Sequence, residues 1–561
     1  MIPPDQLLPW GDYRPDMSAV NSRVSNNSCN ALPNADGYGP IKSIVAYTDA
    51  VAAAPRGAFR AKNSDGTVTL FVGTATKLYK LNNSTLEWEN VSKTSGSHDY
   101  SLPEDKQWSF EQYRDIVIAA QSGDVPQKFD LSSDTYFSDL GGSPPTADFV
   151  TILGQFVVLS GIVGQPYRVQ WSGRSDYEEW TSGNNESGYQ DFTDGGLVYK
   201  VAGGEQSAVI LQDTAMRRMT YQPGSPVIFS FERVSRDVGI VAPYSLIQSN
   251  DLLFWVSSQG FMMSQGGNNP IPIGKDAVDE TWRTQWDDEN PQLMSGFIDP
   301  RDTRVYWAFK QISNTSDTHD KIYCYDWALQ KWGCVDGLEF YIAQSMSNLA
   351  STLDSLDTAF TTEITGDTNS NTTVDGIADT SDLYAGMTIT GSGIPASTTI
   401  VSVDNGTTIT ISQSASATAS GVTLTVSGAL DAIDVSLDAF PVAFGREMAF
   451  FNTSNKLGFL QGDNLEATLE SPEVAHYQGM QMLVNGCYPD CDADELYGQV
   501  SYRQHAGATK GWMSEQSRNV EGYIPARIDT RMTAFRNRIP AGATWTYSAG
   551  IVPKYVATGQ R

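Results

Sequence analysis

The feature that most constrains this chain is a strand pattern that returns every forty to fifty residues or so. Apolar strand cores stand at TLFVGT (69–74), DIVIAA (115–120), QFVVLSG (155–161), SAVILQ (207–212), DLLFWVSS (251–258), TRVYWAF (303–309) and EMAFFNT (447–453). The hairpin after several of them repeats too. In LYKLNNSTLEWENV (78–91), KFDLSSDTYFSDL (128–140) and IYCYDWALQKWGCV (322–335), a short strand ends in a turn. An aromatic follows (Trp88, Phe137, Trp332), with an apolar residue three positions on (Val91, Leu140, Val335). This period, with four strand-like runs per unit, is that of a β-propeller blade. A lone blade cannot cover both faces of its sheet, so blades stack on one another.

The units span Gly57–Val91, Trp108–Leu140, Ala147–Trp180, Gly196–Val234, Ala242–Ile273 and Leu293–Val335, with a seventh at Phe440–Ser471. The fold class read from this is all-β, a six- or seven-bladed propeller. Because blade closure often mixes chain ends, both counts stay open. Residues 1–56 read as a Pro-rich extended arm and the start of the propeller, and 57–354 as blades.

Residues 355–430 break the period. They hold no Lys, Arg, His, Trp or Cys, and 387–426 alternate β-branched with small residues around NG and SG turns. This predicts an inserted β-sandwich-like domain. The final blade follows at 431–472. Residues 473–561 are again β-rich, with MQMLV, QVSYRQ, YIPARI, RMTAFRN and TWTYSAG as strand candidates.

Charge separates the two ends. Arg503–Arg561 holds nine Lys/Arg and three Asp/Glu, net +6, whereas the whole chain is −28 and the remainder therefore −34. The basic segment, with its aromatic residues, reads as a docking surface. Arg527, Arg531, Arg536, Arg538 and Trp545 are the interface candidates, since Arg and aromatics are enriched at interface centres. An overall excess of acid argues against tight nucleic-acid binding.

No catalytic constellation is visible. His98, His319, His476 and His505 stand in neither HExxH nor GxSxG contexts. GK at 274–275 is followed by Asp276 where a P-loop needs Ser or Thr. Cys487 and Cys491, flanked by His476 and His505, lack zinc-site spacing. Asp490, Asp492 and Asp494 form D-x-D-x-D without the glycine and glutamate of a calcium loop. SDYEEW (175–180) lacks the central glycine of a sialidase Asp-box. Glu178/Glu179 and Asp287/Asp288, adjacent on a strand, point to opposite faces. Cys29, Cys324, Cys334, Cys487 and Cys491 make no disulfide framework. Cys324 and Cys334 are placed to face each other across a hairpin, as thiols in a reducing compartment. No catalytic, cofactor or metal site is expected. No apolar run is long enough for a transmembrane helix, and the N-terminus has no signal-peptide pattern.

The order of WGDYRPD (10–16), NADGYGPI (34–41), GAFRA (57–61), TLFVGTATKLYKLN (69–82), VQWSGRSDYEEW (169–180) and RIPAGATWTYSAG (538–550) resembles the tail nozzle, or packaged-DNA stabilisation, proteins of short-tailed double-stranded DNA phages. GMTITGSGIPASTTIVSVDNGTTITIS (386–412) independently resembles a small β module of phage virion proteins. The resemblance implies a non-enzymatic virion tail protein assembled in the host bacterial cytoplasm. It implies a homo-oligomeric, hexameric ring below an adaptor ring, with tail fibres as further candidate partners. Genomic DNA passes through the channel without tight binding. The rival readings are a receptor- or glycan-binding propeller and a propeller glycosidase, which would need paired carboxylates near the axis.

Overall fold

The computed structural model describes residues 6–347, 361–380, 383, 385–427, 446–475 and 480–559. The chain is nearly all β and divides into two compact units, 347–446 and the rest.

The larger unit begins with five successive four-stranded antiparallel sheets, each an up-and-down meander. The first contains Ala58–Lys62, Val68–Gly73, Leu78–Leu81 and Trp88–Asn90. The second runs from Ser109–Tyr113 to Ser138–Asp139, the third from Ala147–Leu153 to Gly188–Asp191, the fourth from Val198–Ala202 to Phe229–Ser235, and the fifth from Ile247–Ser249 to Ile271–Pro272. A sixth set, Met294–Ile298, Arg304–Phe309, His319–Asp326 and Lys331–Ser347, belongs to a larger 13-stranded sheet. The third sheet extends past the expected end at Trp180, because its last strand follows a loop.

The long strand Lys331–Ser347 also pairs with Arg446–Asn452, which pairs with Lys456–Asn464, which pairs with Lys42–Ala50. A seventh set thus takes its last strand from the N-terminal region. The expected start of this unit at Phe440 lies outside the described residues.

The second strand of each set is buried on both faces: Phe71, Val117, Val157, Ile210, Phe254 and Val305 are all inaccessible. These strands therefore read as continuous apolar runs and not as alternations. Successive sheets share apolar clusters, first with second, second with third, and so on to the sixth with the seventh. The repeating aromatics reach backwards across these contacts. Phe137 of the second sheet packs edge-on against Phe71 of the first at 5.5 Å. Trp332 of the sixth packs on Phe261 of the fifth at 5.1 Å and donates its indole N–H to Ile273 O at 3.1 Å. Trp88 of the first sheet makes the same contact with the seventh set: it lies 5.7 Å from Phe451 and donates to Asp49 O at 3.2 Å. Trp88 is only half-buried, unlike the other two. Gly57, which opens the GAFRA segment, has φ +136° and leaves only 2.7 Å between an added Cβ and Trp108; no other residue fits there.

The chain ends build the remaining layer. Ala31–Pro33 and Tyr38–Pro40 form a hairpin beside Lys331–Ser347, and the sheet continues through Ser548–Gly559, Gln481–Cys491 and Ile524–Thr530. Leu8 and Pro9 pair with Ile551 and Gly550. The N-terminal segment is thus built into sheets, not a free arm. A second sheet, Ala467–Glu470, Phe535–Ile539, Tyr497–Tyr502 and Gly511–Trp512, packs on it around Leu469, Val484, Val500, Phe535 and Trp545.

In the smaller unit, strands from Thr361–Asn369 to Thr418–Ser427 form one six-stranded antiparallel sheet. Its edge strands meet: Ile389 N–H donates to Thr398 O at 2.9 Å, and Ile400 N–H to Met387 O at 2.8 Å. The expected two-sheet sandwich is instead one sheet rolled onto itself, enclosing Val374, Ile389, Ile400, Ile409, Leu424 and Val426. Rolling buries one face of the alternating strands without a second sheet.

Candidate docking surface and cavity

Strand Phe535–Ile539 alternates strictly. Phe535, Asn537 and Ile539 point into the core, while Arg536 and Arg538 share the other face. Their cross-strand partners decide their role. Arg536 faces Glu470 and Gln499, and its guanidinium binds the Glu470 carboxylate at 2.9 Å while stacking 4.0 Å over Trp512. Lys510 binds the same carboxylate. Arg538 stands over Tyr497 and binds Glu515 through Nε and Nη2, both at 2.9 Å, and Glu466 through Nη1 at 2.9 Å. The Arg538 hydrogen bond holds the Glu515 carboxyl below the usual range. Arg503 forms a two-pronged pair with Glu473. Four basic side chains of the segment are therefore neutralised by their own chain.

The five interface candidates thus separate. Arg536 and Arg538 are partners in ion-pair and cation–π networks. Trp545 is 3% exposed and belongs to the core, so it supports the surface from beneath and presents nothing to a partner. Arg531 is half-buried. Arg527 is exposed on Ile524–Thr530 and pairs with no carboxylate among the described residues. The net +6 of Arg503–Arg561 is offset by Glu466, Glu470 and Glu473, which precede it in sequence.

The acidic D-x-D-x-D turn is likewise structural. Asp492 accepts from the N–H groups of Thr546 and Tyr547 at 2.9 and 3.0 Å, and Asp494 from Thr544 at 2.9 Å, fixing the loop that carries Trp545. No group of three or more metal-ligating side chains converges among the described residues. His476 lies outside those residues. Cys324 and Cys334 do not face each other. Cys324 is opposite Gly333 and Cys334 opposite Tyr323, so a one-residue offset sends them to opposite faces.

Sequence reasoning missed a cavity of about 280 Å³ bounded by the first strands of successive sheets. Ala58, Glu111, Thr151, Lys200, Gln248 and Ser295 line it, with Ile342–Gln344 from the long strand. Lys200 Nζ lies 5.5 Å from the Phe149 ring and 5.9 Å from Tyr244, and it forms no salt bridge among the described residues. Burial lowers the Lys200 ammonium to about 8, against the pull of Glu111. Burial likewise raises Glu111 to about 7, opposed by Lys200. The wall holds one carboxylate and one ammonium, not the two carboxylates that glycoside hydrolysis uses. A lysine and a glutamate that line one cavity from different repeats carry no sequence signal that brings them together.

No family model matches this chain, and no curated protein matches it. Among solved structures, a chain of a mitotic checkpoint complex is similar at 6% identity, over 56% of this chain and 91% of that one, with a TM-score of 0.32. The computationally designed Ika8 protein is similar at 11% identity, over 55% and 94%, also at 0.32. Neither likeness bears on function.

Proposed function

We propose that the seven strand sets form a closed seven-bladed β-propeller, and that the chain is a structural nozzle subunit of a short-tailed phage. In this reading six copies form a ring at the distal end of the tail, below an adaptor ring. The ring retains the genome and passes it on ejection, and catalysis is no part of the role. Two features support the propeller. Each sheet packs on the one before it, and Trp88 carries the same contact from the first set to the seventh. The seventh set is completed by Lys42–Ala50, a closure that joins distant parts of the chain.

The observation that carries the nozzle reading is the meeting of three motif segments. Trp10 of WGDYRPD donates its indole N–H to Ser548 Oγ at 2.8 Å, within RIPAGATWTYSAG. Tyr38 of NADGYGPI pairs with the same Ser548. Asp16, the last residue of WGDYRPD, accepts from the N–H groups of Glu280 and Thr281 at the start of helix Asp279–Gln285, at 2.8 and 2.9 Å. A carboxylate there satisfies donors that the helix itself leaves unpaired. Segments that resemble the nozzle family in sequence order thus act as one physical unit.

A cavity of 280 Å³ admits a small molecule, not a duplex, so the conduit would be formed between subunits. The test is particle mass by light scattering with electron microscopy of the purified chain, and its localisation on virions. A closed six-fold ring at the tail tip is expected. A monomer that binds glycans, absent from tails, would overturn the reading. The ring should bind duplex DNA weakly even at low salt; tight binding with a steep salt dependence would refute a conduit that does not grip.

A further inference from the structure

Cys29 and Cys334 are far apart in sequence and side by side in the structure. Cys29 exchanges backbone hydrogen bonds with Thr468, at 2.9 and 3.0 Å. The next residue, Asn30, donates to Cys334 O at 2.8 Å, and its side-chain oxygen accepts from Asp336 N–H at 2.7 Å. Ala31 is in ladder register with Cys334. The two side chains pack in one apolar cluster. Cys334 is buried and Cys29 half-buried, so a small solute approaches from the Cys29 side.

The surroundings make the two sulfurs unequal. Burial opposes ionisation of Cys334, but the neighbouring Cys29 thiol and the Lys321 ammonium outweigh it and lower its pKa. Cys29, beside Cys334 and buried, is raised. A thiol that ionises more readily beside a second thiol is the arrangement in which oxidation proceeds to a disulfide. The other cysteines lack it: burial raises the pKa of Cys324, Cys487 and Cys491.

We propose that Cys29 and Cys334 are an oxidisable pair that closes to a disulfide on meeting a peroxide, fastening the N-terminal segment to the sixth sheet. The Cys334 thiolate attacks one peroxide oxygen and the O–O bond breaks. Cys334 becomes a sulfenic acid, and the departing hydroxide takes up a proton to leave as water. The Cys29 sulfur then attacks the sulfenic sulfur. The S–S bond forms, the S–O bond breaks, and a second water leaves with the Cys29 proton. Two thiols are oxidised by two electrons and one hydrogen peroxide is reduced to two waters. Cys29 is also bonded to Thr468, so the link fixes the N-terminal segment where it bridges the sixth sheet and Ala467–Glu470. The chemistry does not depend on the virion reading. Only its timing does: the pair would stay reduced in a cytosol and close after release.

The test treats the full-length protein with limiting hydrogen peroxide, quenches, denatures and counts thiols. The reduced chain has five cysteines. The expected product titrates three and is lighter by two hydrogens, about 2 Da. Its peptide map joins the Cys29 and Cys334 peptides, and dithiothreitol restores five. Cys324→Ser should still lose two thiols. Cys29→Ser, with its fold checked by circular dichroism, should instead gain oxygen at Cys334 and form no link. The wild-type peptide map stands alone should that variant not fold. Five thiols after treatment, a link between another pair, or oxygenated Cys334 without a link in the wild type would each overturn the proposal.

Discussion

His319 opens strand His319–Asp326 with its imidazole at 0% exposure, stacked on Phe340 at 5.4 Å. Burial lowers its pKa from 6.5 to about 4, against the pull of the Phe340 and Tyr341 backbone. Its folded pKa lies below its unfolded one, so between these values the unfolded chain binds the extra proton. Stability is therefore full above pH 6.5 and is lost as pH falls towards 4. The 2.5-unit difference corresponds to about 3 kcal/mol when fully expressed, and about 2.5 kcal/mol is expressed by pH 4.5. The assay is hydrogen exchange of residues 319–326 at pH 7.5 and 4.5, corrected for intrinsic exchange rates. Protection should fall roughly seventyfold at the lower pH in the wild type. In His319→Leu that proton-linked part of the loss should vanish. Equal loss of protection in both proteins would refute the reasoning, because the proton taken up would then not belong to His319.

Three further outcomes follow from the geometry. Phe137→Ala and Trp332→Ala should each cost about 3–5 kcal/mol, and half-buried Trp88→Ala less, as read by urea unfolding; soluble triple variant of wild-type stability would count against stacked sheets. Glu111→Gln with Lys200→Met should leave thermal stability unchanged or raised at pH 7.5, because both buried charges go together, whereas either single change should lower it by leaving the other charge uncompensated. Arg538→Ala should lower stability by about 1–2 kcal/mol, since it leaves Glu515 and Glu466 unpaired at the surface, while Arg527→Ala should change it by less than about 0.5 kcal/mol in the same unfolding assay.

What could be read from sequence follows from burial. Second strands such as Val117–Ala120 and Leu253–Val256 are apolar on both faces, so their runs stand out in one dimension. The last strand of the third sheet, GYQD at 188–191, has three exposed residues and no aliphatic side chain, so nothing marks it, and Trp180 was the nearest visible end. Lys42–Ala50 is mostly exposed, and its partner Lys456–Asn464 lies far along the chain; pairing at that separation has no local signature. The alternation of the insert was legible as strands. Whether such strands face a second sheet or roll up is decided at the edges, by contacts such as Ile389 with Thr398. At the cysteines, proximity across a hairpin misled because register, not distance along the chain, chooses the face. Cys29, the true neighbour of Cys334, arrives from the N-terminal segment.

The basic segment has a consequence for assembly. Docking of a free +6 surface onto an acidic neighbour would weaken as salt rises, since screening removes the attraction. The structure instead spends Arg503, Lys510, Arg536 and Arg538 on Glu466, Glu470, Glu473 and Glu515 of the same chain. In the proposed ring, a chain of net charge −28 with these four cations so engaged would meet its copies mainly as a like charge. Association in the proposed ring then rests on apolar and hydrogen-bonded contact working against repulsion. Salt should strengthen it, with most of the gain complete near 0.1 M, where the screening length is about 10 Å. The measurement is the ring fraction by light scattering across a sodium chloride series at fixed protein concentration. A fraction that rises and levels off is expected. A steep fall with salt would mean that cations not engaged within the subunit, Arg527 foremost, carry the interface after all.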